Sequence, residues 1–157
     1  MESAPATFKL SHFGLCVSDL DASLRFYGEG LGFDIAEQYH LDSDVMVGLD
    51  RALEVGERVV VTSQFIRLGT LAIELLHYES PAPTGTPSAT RGQIGLSHLA
   101  FQVDDAEASA AHLVACGGTI IESTRATLGT PLLFVHDPDG VRIELMEFFK
   151  SLVVRRD

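Results

Sequence analysis

One short pattern occurs twice in this chain. Leu10-Ser11-His12-Phe13-Gly14-Leu15-Cys16-Val17-Ser18-Asp19-Leu20 returns as Leu96-Ser97-His98-Leu99-Ala100-Phe101-Gln102-Val103-Asp104-Asp105-Ala106, offset by 86 residues (98 − 12 = 86). In each copy a Leu-Ser-His triplet precedes alternating apolar residues, then a valine, then an aspartate where a helix can start. A repeat of this kind settles the architecture before any local propensity does. It divides the chain into two copies of one unit, each opening with a histidine on a strand. Of the 157 residues, 46% are apolar and 21% charged, enough to bury a core shared by both units.

The units can be followed along the chain. Residues 8–17 alternate, with Phe13, Leu15 and Val17 on one face and His12, Gly14 and Cys16 on the other. The first set is bulky and suits a face covered by a helix; the second, small apart from the histidine, suits a cavity wall. Ser18-x-x-Asp21 reads as a capping box ahead of Leu20, Leu24, Tyr27 and Leu31 at helical spacing. Gly28, Gly30 and Gly32 end that helix, and Phe33 to Ala36 begins a second strand. Asp44 is placed to cap a short helix carrying Val45, Leu49 and Leu53. The second unit has no counterpart to residues 40–58, so this segment reads as an insertion, either a lid or a surface excursion. Strands follow at 58–67 and 71–78, the latter placing Glu74 inside an apolar run.

The second unit repeats the plan. A strand over 96–103 carries His98 on the cavity side, and Asp104-x-x-Glu107 caps an Ala-rich helix ending at Gly117-Gly118. Strands begin at Thr119 and Pro131, Asp137-Pro138-Asp139-Gly140 turns, and a strand over 141–148 holds Glu144 where Glu74 sits in the first unit. The expected organisation is a first module over 8–80 with the insertion 40–58, a Pro- and Gly-rich linker over 81–95, and a second module over 96–149.

Charge narrows the function. A formal net charge of −11 argues against nucleic acid and against an anionic membrane surface. No stretch is long and apolar enough to span a membrane, and Met1 to Thr7 lacks the pattern of a secretory signal. Cys16 and Cys116 make no disulfide framework and suit reduced thiols in a cytoplasm.

If the repeats pair symmetrically, His12, Glu74, His98 and Glu144 converge. A lone strand histidine is ordinarily structural, but a carboxylate inside an apolar strand needs a partner. Both features recur in both units. Two imidazoles and two carboxylates suit one divalent first-row ion, with positions left for water or adjacent substrate oxygens.

The chain resembles the vicinal oxygen chelate superfamily, which includes glyoxalase I, methylmalonyl-CoA epimerase, extradiol dioxygenases and the fosfomycin and bleomycin resistance proteins. The resemblance spans about residues 8–149. It is carried by His12 before Val17-Ser18-Asp19-Leu20, Phe26-Tyr27, Leu31-Gly32-Phe33 and Ile73-Glu74-Leu75, then by His98-Leu99-Ala100-Phe101 with Val103-Asp104-Asp105, Asp137-Pro138-Asp139-Gly140 and Ile143-Glu144-Leu145. It implies an α+β fold of paired βαβββ modules whose two curled mixed sheets form a metal-bearing cavity. It also implies a homodimer acting on a small molecule. The His, Glu, His, Glu order is that of glyoxalase I, implying nickel, zinc, cobalt, manganese or iron at the four residues. The implied reaction is an isomerase or lyase step that deprotonates a carbon next to a carbonyl, with Glu144 as base and Glu74 as its counterpart across the pseudo-two-fold. An epimerase of the methylmalonyl-CoA type, an extradiol-type dioxygenase and a non-catalytic antibiotic-binding protein are the alternatives. The basic residues that glutathione would require are missing from Ile35-Ala36-Glu37-Gln38. Arg25 and Arg142 are available to an anionic substrate.

Overall fold

The Leu-Ser-His triplet leads straight into a strand in both halves of the computed structural model, which describes residues 7–147. The first module runs β1 (Phe13–Cys16), α1 (Leu20–Leu24) extended by a π-helical turn (Arg25–Gly30), β2 (Asp34–Asp42), α2 (Leu49–Ala52), β3 (Val60–Leu68) and β4 (Leu71–Ser80). The second runs β5 (Leu99–Val103), α3 (Ala106–Ala115), β6 (Thr119–Thr127), β7 (Pro131–His136) and β8 (Arg142–Glu147). Each module is a βαβββ unit with a four-stranded mixed sheet, in the orders β1-β4-β3-β2 and β5-β8-β7-β6. In both, the first and last strands pair in parallel and the other neighbours are antiparallel. The sheets are open rather than closed on each other. Residues 1–6 of the expected tail, Phe148 at the expected end of the last strand and Phe149 lie outside the described residues.

Several local expectations shift. His12 and His98 stand one residue before their strands rather than within them. The N-caps are Asp19 and Asp105, not Ser18 and Asp104. Each has the extended backbone a cap requires, and each carboxylate accepts a hydrogen bond from an amide three residues on, Ala22 or Ala108. Ser18 is engaged elsewhere: its hydroxyl donates to Asp139 in the other module at 2.5 Å. Strand β2 continues through His40 to Asp42, so the segment joining β2 to β3 covers residues 43–59. Its short helix is capped by Gly48, and Asp44 instead accepts from Arg58 Nε.

Both modules bury their helix-side faces in one core. Leu15, Ile66, Ile73 and Leu75 from the first sheet and Leu133, Val135, Ile143 and Leu145 from the second pack around Phe26, Tyr27, Ala106, Ala110 and Leu113. The helices thus lie between the sheets, and the opposite sheet faces look outward. Polar ties cross the same seam. The Tyr27 hydroxyl donates to buried Asp137 at 2.9 Å, and Arg25 Nη2 donates to Ala115 O at 2.6 Å. Burial raises the Asp137 carboxyl above its usual range, opposed by donation from Val141 N–H, Tyr27 O–H and Asp139 N–H.

The seam depends on one missing side chain. A Cβ at Gly118 would stand 2.7 Å from Phe26 Cε2, 2.9 Å from Val135 Cγ1 and 3.1 Å from His136 O. Phe26 is fully buried and cannot retreat. Gly118→Ala is therefore expected to destabilise the fold by about 2 kcal/mol through overpacking. It should lower the urea midpoint at unchanged slope. No helix among the described residues is long and apolar enough to cross a membrane.

Candidate metal centre

Parallel pairing is what brings each histidine to its glutamate. In the first sheet Gly14 pairs with Glu74, and in the second Ala100 pairs with Glu144. His12 and His98, two residues earlier on the same faces, reach their glutamates diagonally. His12 Nε2 lies 3.2 Å from Glu74 Oε2 and His98 Nε2 lies 3.1 Å from Glu144 Oε2. The glutamate side chains are 19% and 16% exposed and the imidazoles 35% and 33%, open enough for an ion to enter. Two donors held at right angles on one ion, each at about 2.1 Å, stand about 3 Å apart. The residues present therefore fit a divalent ion.

The histidines are oriented from behind by the residue that precedes them. Ser11 Oγ lies 3.0 Å from His12 Nδ1, and Ser97 Oγ lies 2.5 Å from His98 Nδ1. A hydroxyl can donate or accept. It can donate to Nδ1 while Nε2–H donates to the glutamate, and it can accept from Nδ1–H when the Nε2 lone pair goes to a metal. The serine of Leu-Ser-His thus supports both tautomers, a role visible in the sequence only as its recurrence before each histidine. Aromatic rings brace the other side. Phe65 pairs with Glu74 and meets His12 edge-on at 5.2 Å; Phe134 pairs with Glu144 and meets His98 edge-on at 5.5 Å.

The two half-sites differ in one respect that bears on chemistry. Ser63, which pairs with Leu76, donates its hydroxyl to Glu74 Oε1 at 2.5 Å. Leu132 pairs with Met146 at the corresponding place, and among the described residues no donor reaches Glu144 Oε1. One carboxylate is held at both oxygens and the other at one. The four residues do not gather within a single chain: no group of three or more such side chains meets among the described residues. Each pair stands on the outward face of its own sheet, with the shared core behind it.

Of the remaining candidates, Arg142 and its register partner His136 share the site face and the others lie away from it. Arg25 caps the C-terminal end of α3 through Ala115 O and is not at the site. Arg142 is on the site face of β8 and donates to Ser88 Oγ and Ser88 O. His112 bonds Glu29 O at the seam, His40 faces Glu79 on the exposed strand, and burial with the neighbouring Arg142 holds His136 below its ordinary value.

The family model described as Glyoxalase/Bleomycin resistance protein/Dioxygenase superfamily matches residues 9–145. A lactoylglutathione lyase of Schizosaccharomyces pombe is 26% identical over 151 residues, which cover 90% of this chain and 48% of the lyase. The chain thus spans about half the length of that relative. The bovine mitochondrial methylmalonyl-CoA epimerase is 29% identical over 147 residues, covering 87% of this chain and 73% of the epimerase. The solved structure of a glyoxalase family protein from Bacillus cereus has the same fold, with a TM-score of 0.71 at 18% identity over 94% of this chain and 98% of that one. With the family model matched over most of its length, and with two βαβββ modules each carrying a His–Glu pair, the chain belongs to the Glyoxalase/Bleomycin resistance protein/Dioxygenase superfamily.

Proposed function

We propose that this protein is a metal-dependent isomerase or lyase of the glyoxalase type. It acts in the cytoplasm, as a homodimer, on a small molecule, and removes a proton from a carbon next to a carbonyl. The observation that carries this reading is the duplicated half-site: the same two residues, in the same register, with donor atoms 3.2 and 3.1 Å apart. A pair of donors is fewer than an ion of this class normally takes from a protein. Because each pair faces away from the chain's own core, a second copy completes the set, with His12 and Glu74 of one subunit facing His98 of the partner subunit and Glu144 of the partner subunit. The ion (nickel, zinc, cobalt, manganese or iron) would be held by these four residues and would supply Lewis acidity beside the carbonyl when bound.

The chain's own residues divide the remaining work. His12 and His98 present Nε2 to the ion, steadied by Ser11 and Ser97. Glu74, fixed by Ser63, stays a ligand. Glu144, whose Oε1 meets no donor among the described residues, takes the proton and returns it to the neighbouring carbon. The faces that carry Phe65 and the already buried Phe134 exclude water once the second copy covers them.

Epimerisation is the second reading. It is favoured by the placing of a carboxylate in each half-site and by the similarity to the bovine methylmalonyl-CoA epimerase. Two-base chemistry calls for two equally free carboxylates, and the Ser63 contact to Glu74 favours one base instead.

Metal analysis tests the reading first. Freshly purified protein should hold about one divalent ion per chain, and the double variant His12→Ala with Glu144→Ala should hold none. Loaded protein should exchange the proton beside the carbonyl of small α-hydroxycarbonyl compounds for solvent deuterium, followed by proton NMR. No ion in either protein after reconstitution with each of the five metals overturns the reading. Oxygen consumption by the iron form, without proton exchange, replaces it with a dioxygenase.

A further inference from the structure

We propose that Arg91 is the anion-recognising residue of this site, and that the substrate carries a carboxylate or phosphate beyond the oxygens that meet the metal. The proposal rests on the metal-site reading above for where the rest of the substrate lies.

Arg91 is in the linker, yet it is held in place. Arg142, on the site face of β8, donates to Ser88 Oγ at 3.0 Å and to Ser88 O at 2.7 Å. Ala89 N donates to Gln93 Oε1 at 3.2 Å and Gln93 N donates to Thr90 O at 3.3 Å, closing a turn around residue 91. That turn puts the Arg91 guanidinium carbon 4.4 Å from the centroid of Phe134. Phe134 is the ring that pairs with Glu144 and meets His98 edge-on, so the cation is one aromatic ring away from the His–Glu pair. A cation over a ring is held by its charge rather than by its N–H groups, and among the described residues no acceptor takes an Arg91 side-chain N–H, so the guanidinium can bind an oxyanion with two donors.

Arg91 is not used up by the protein. Arg58 is held by Asp42 and Asp44, Arg67 by Glu37 and Arg125 by Glu107, whereas among the described residues no carboxylate pairs with Arg91. The chain carries a formal charge of −11, which repels an anionic ligand at long range. An exposed, ordered, unneutralised arginine beside the site reverses that field locally.

The first half-site serves as an internal control. It has the same histidine, glutamate and phenylalanine, but Ala72 stands where Arg142 stands, and the ring beside Phe65 is Tyr39 rather than a cation. Metal ligation alone therefore does not demand the arginine. Arg67, paired with Ala72 on the first half-site's face, is neutralised by Glu37. Unneutralised positive charge on the second half-site would orient an asymmetric substrate, with its anionic end toward Arg91 and its chelating end toward the ion.

The test compares three chelators on cobalt-loaded protein by calorimetry: acetohydroxamate, the monohydroxamate of succinate, and the same chain ending in a phosphonate. Wild-type protein should bind one or both charged compounds about tenfold tighter than acetohydroxamate, the scale of one charge-assisted hydrogen bond at an open site. Arg91→Gln should abolish that preference while its metal content and its acetohydroxamate affinity stay unchanged. Which charged compound gains more identifies the group as carboxylate or phosphate. Equal binding of all three by the wild type, or a preference that survives Arg91→Gln, overturns the proposal. A second readout needs no metal: the Arg91 side-chain Nε–H signal of metal-free protein should shift with succinate or inorganic phosphate and not with chloride. A responsive Arg91 in a protein that takes up no metal overturns the metal-site reading and leaves Arg91 as an anion site with no metal beside it; a silent Arg91 overturns this proposal.

Discussion

Mixing two metal-free variants is expected to create metal sites that neither variant has. One variant is His12→Ala with Glu74→Ala, the other His98→Ala with Glu144→Ala, carried on differently tagged chains so that the heterodimer is isolated. In a closed two-fold dimer the first module of each chain faces the second module of the other. Each homodimer of variants then has a damaged half in both of its sites. The heterodimer joins both intact halves in one site and both damaged halves in the other, so it should hold about half the wild-type ion content. A site built within one chain gives the opposite result, because no chain in the mixture has all four ligands and the heterodimer stays empty. The geometry favours the first outcome. Leu15, Ile73, Leu75, Leu133, Ile143 and Leu145 turn both helix-side faces into one core, which leaves the two His–Glu pairs on faces pointing away from it. A pair whose donors are 3.1 or 3.2 Å apart can grip an ion from one side only.

Much of this was readable from the sequence because strand alternation and a repeat are local signals. Once Leu-Ser-His and Ile-Glu-Leu are seen twice, period two assigns His12, Gly14, Cys16 and Glu74 to one face, and Leu15, Val17, Ile73 and Leu75 to the other. That the first and last strands pair in parallel, which sets each glutamate beside its histidine, came from the structure. What alternation cannot carry is partner choice across long separations. Ser18 resembled a cap, but Asp139, distant in sequence, competes for its hydroxyl, and Asp19 takes the helix instead. Ser63 falls within the strand expected over 58–67, and only the register sets it against Glu74. Arg91 lay in a stretch read only as linker, because a Pro- and Gly-rich composition tells of turns and not of what the turns hold. Face assignment also leaves open whether two outward faces meet within one chain or between two. Only the shared core, with Phe26 against Gly118 and Tyr27 against Asp137, turns the faces apart.

Glu144→Gln is expected to slow proton exchange about a thousandfold, in the range for loss of a positioned general base, whereas Glu74→Gln should cost only about tenfold. Both substitutions keep a carbonyl oxygen that can face the ion, so metal content measured on the same samples should remain near wild type and separates loss of base from loss of metal. The asymmetry comes from the neighbours. The Ser63 hydroxyl, 2.5 Å from Glu74 Oε1, must be broken away before that carboxylate can swing toward a carbon. Glu144 has Leu132 at the equivalent register and no donor on Oε1 among the described residues, so it can move without giving up a hydrogen bond. A glutamine at 74 can turn its carbonyl oxygen to the ion while its NH2 donates to the Ser63 hydroxyl, which keeps the ligand in place. A glutamine at 144 can occupy the position of the base but cannot accept the proton at neutral pH. Equal losses from the two substitutions mean that both carboxylates handle protons, the signature of an epimerase, and single-base chemistry is then abandoned. A thousandfold loss at Glu74 with little at Glu144 reverses the assignment. It would imply that the Ser63 contact activates Glu74 rather than restraining it.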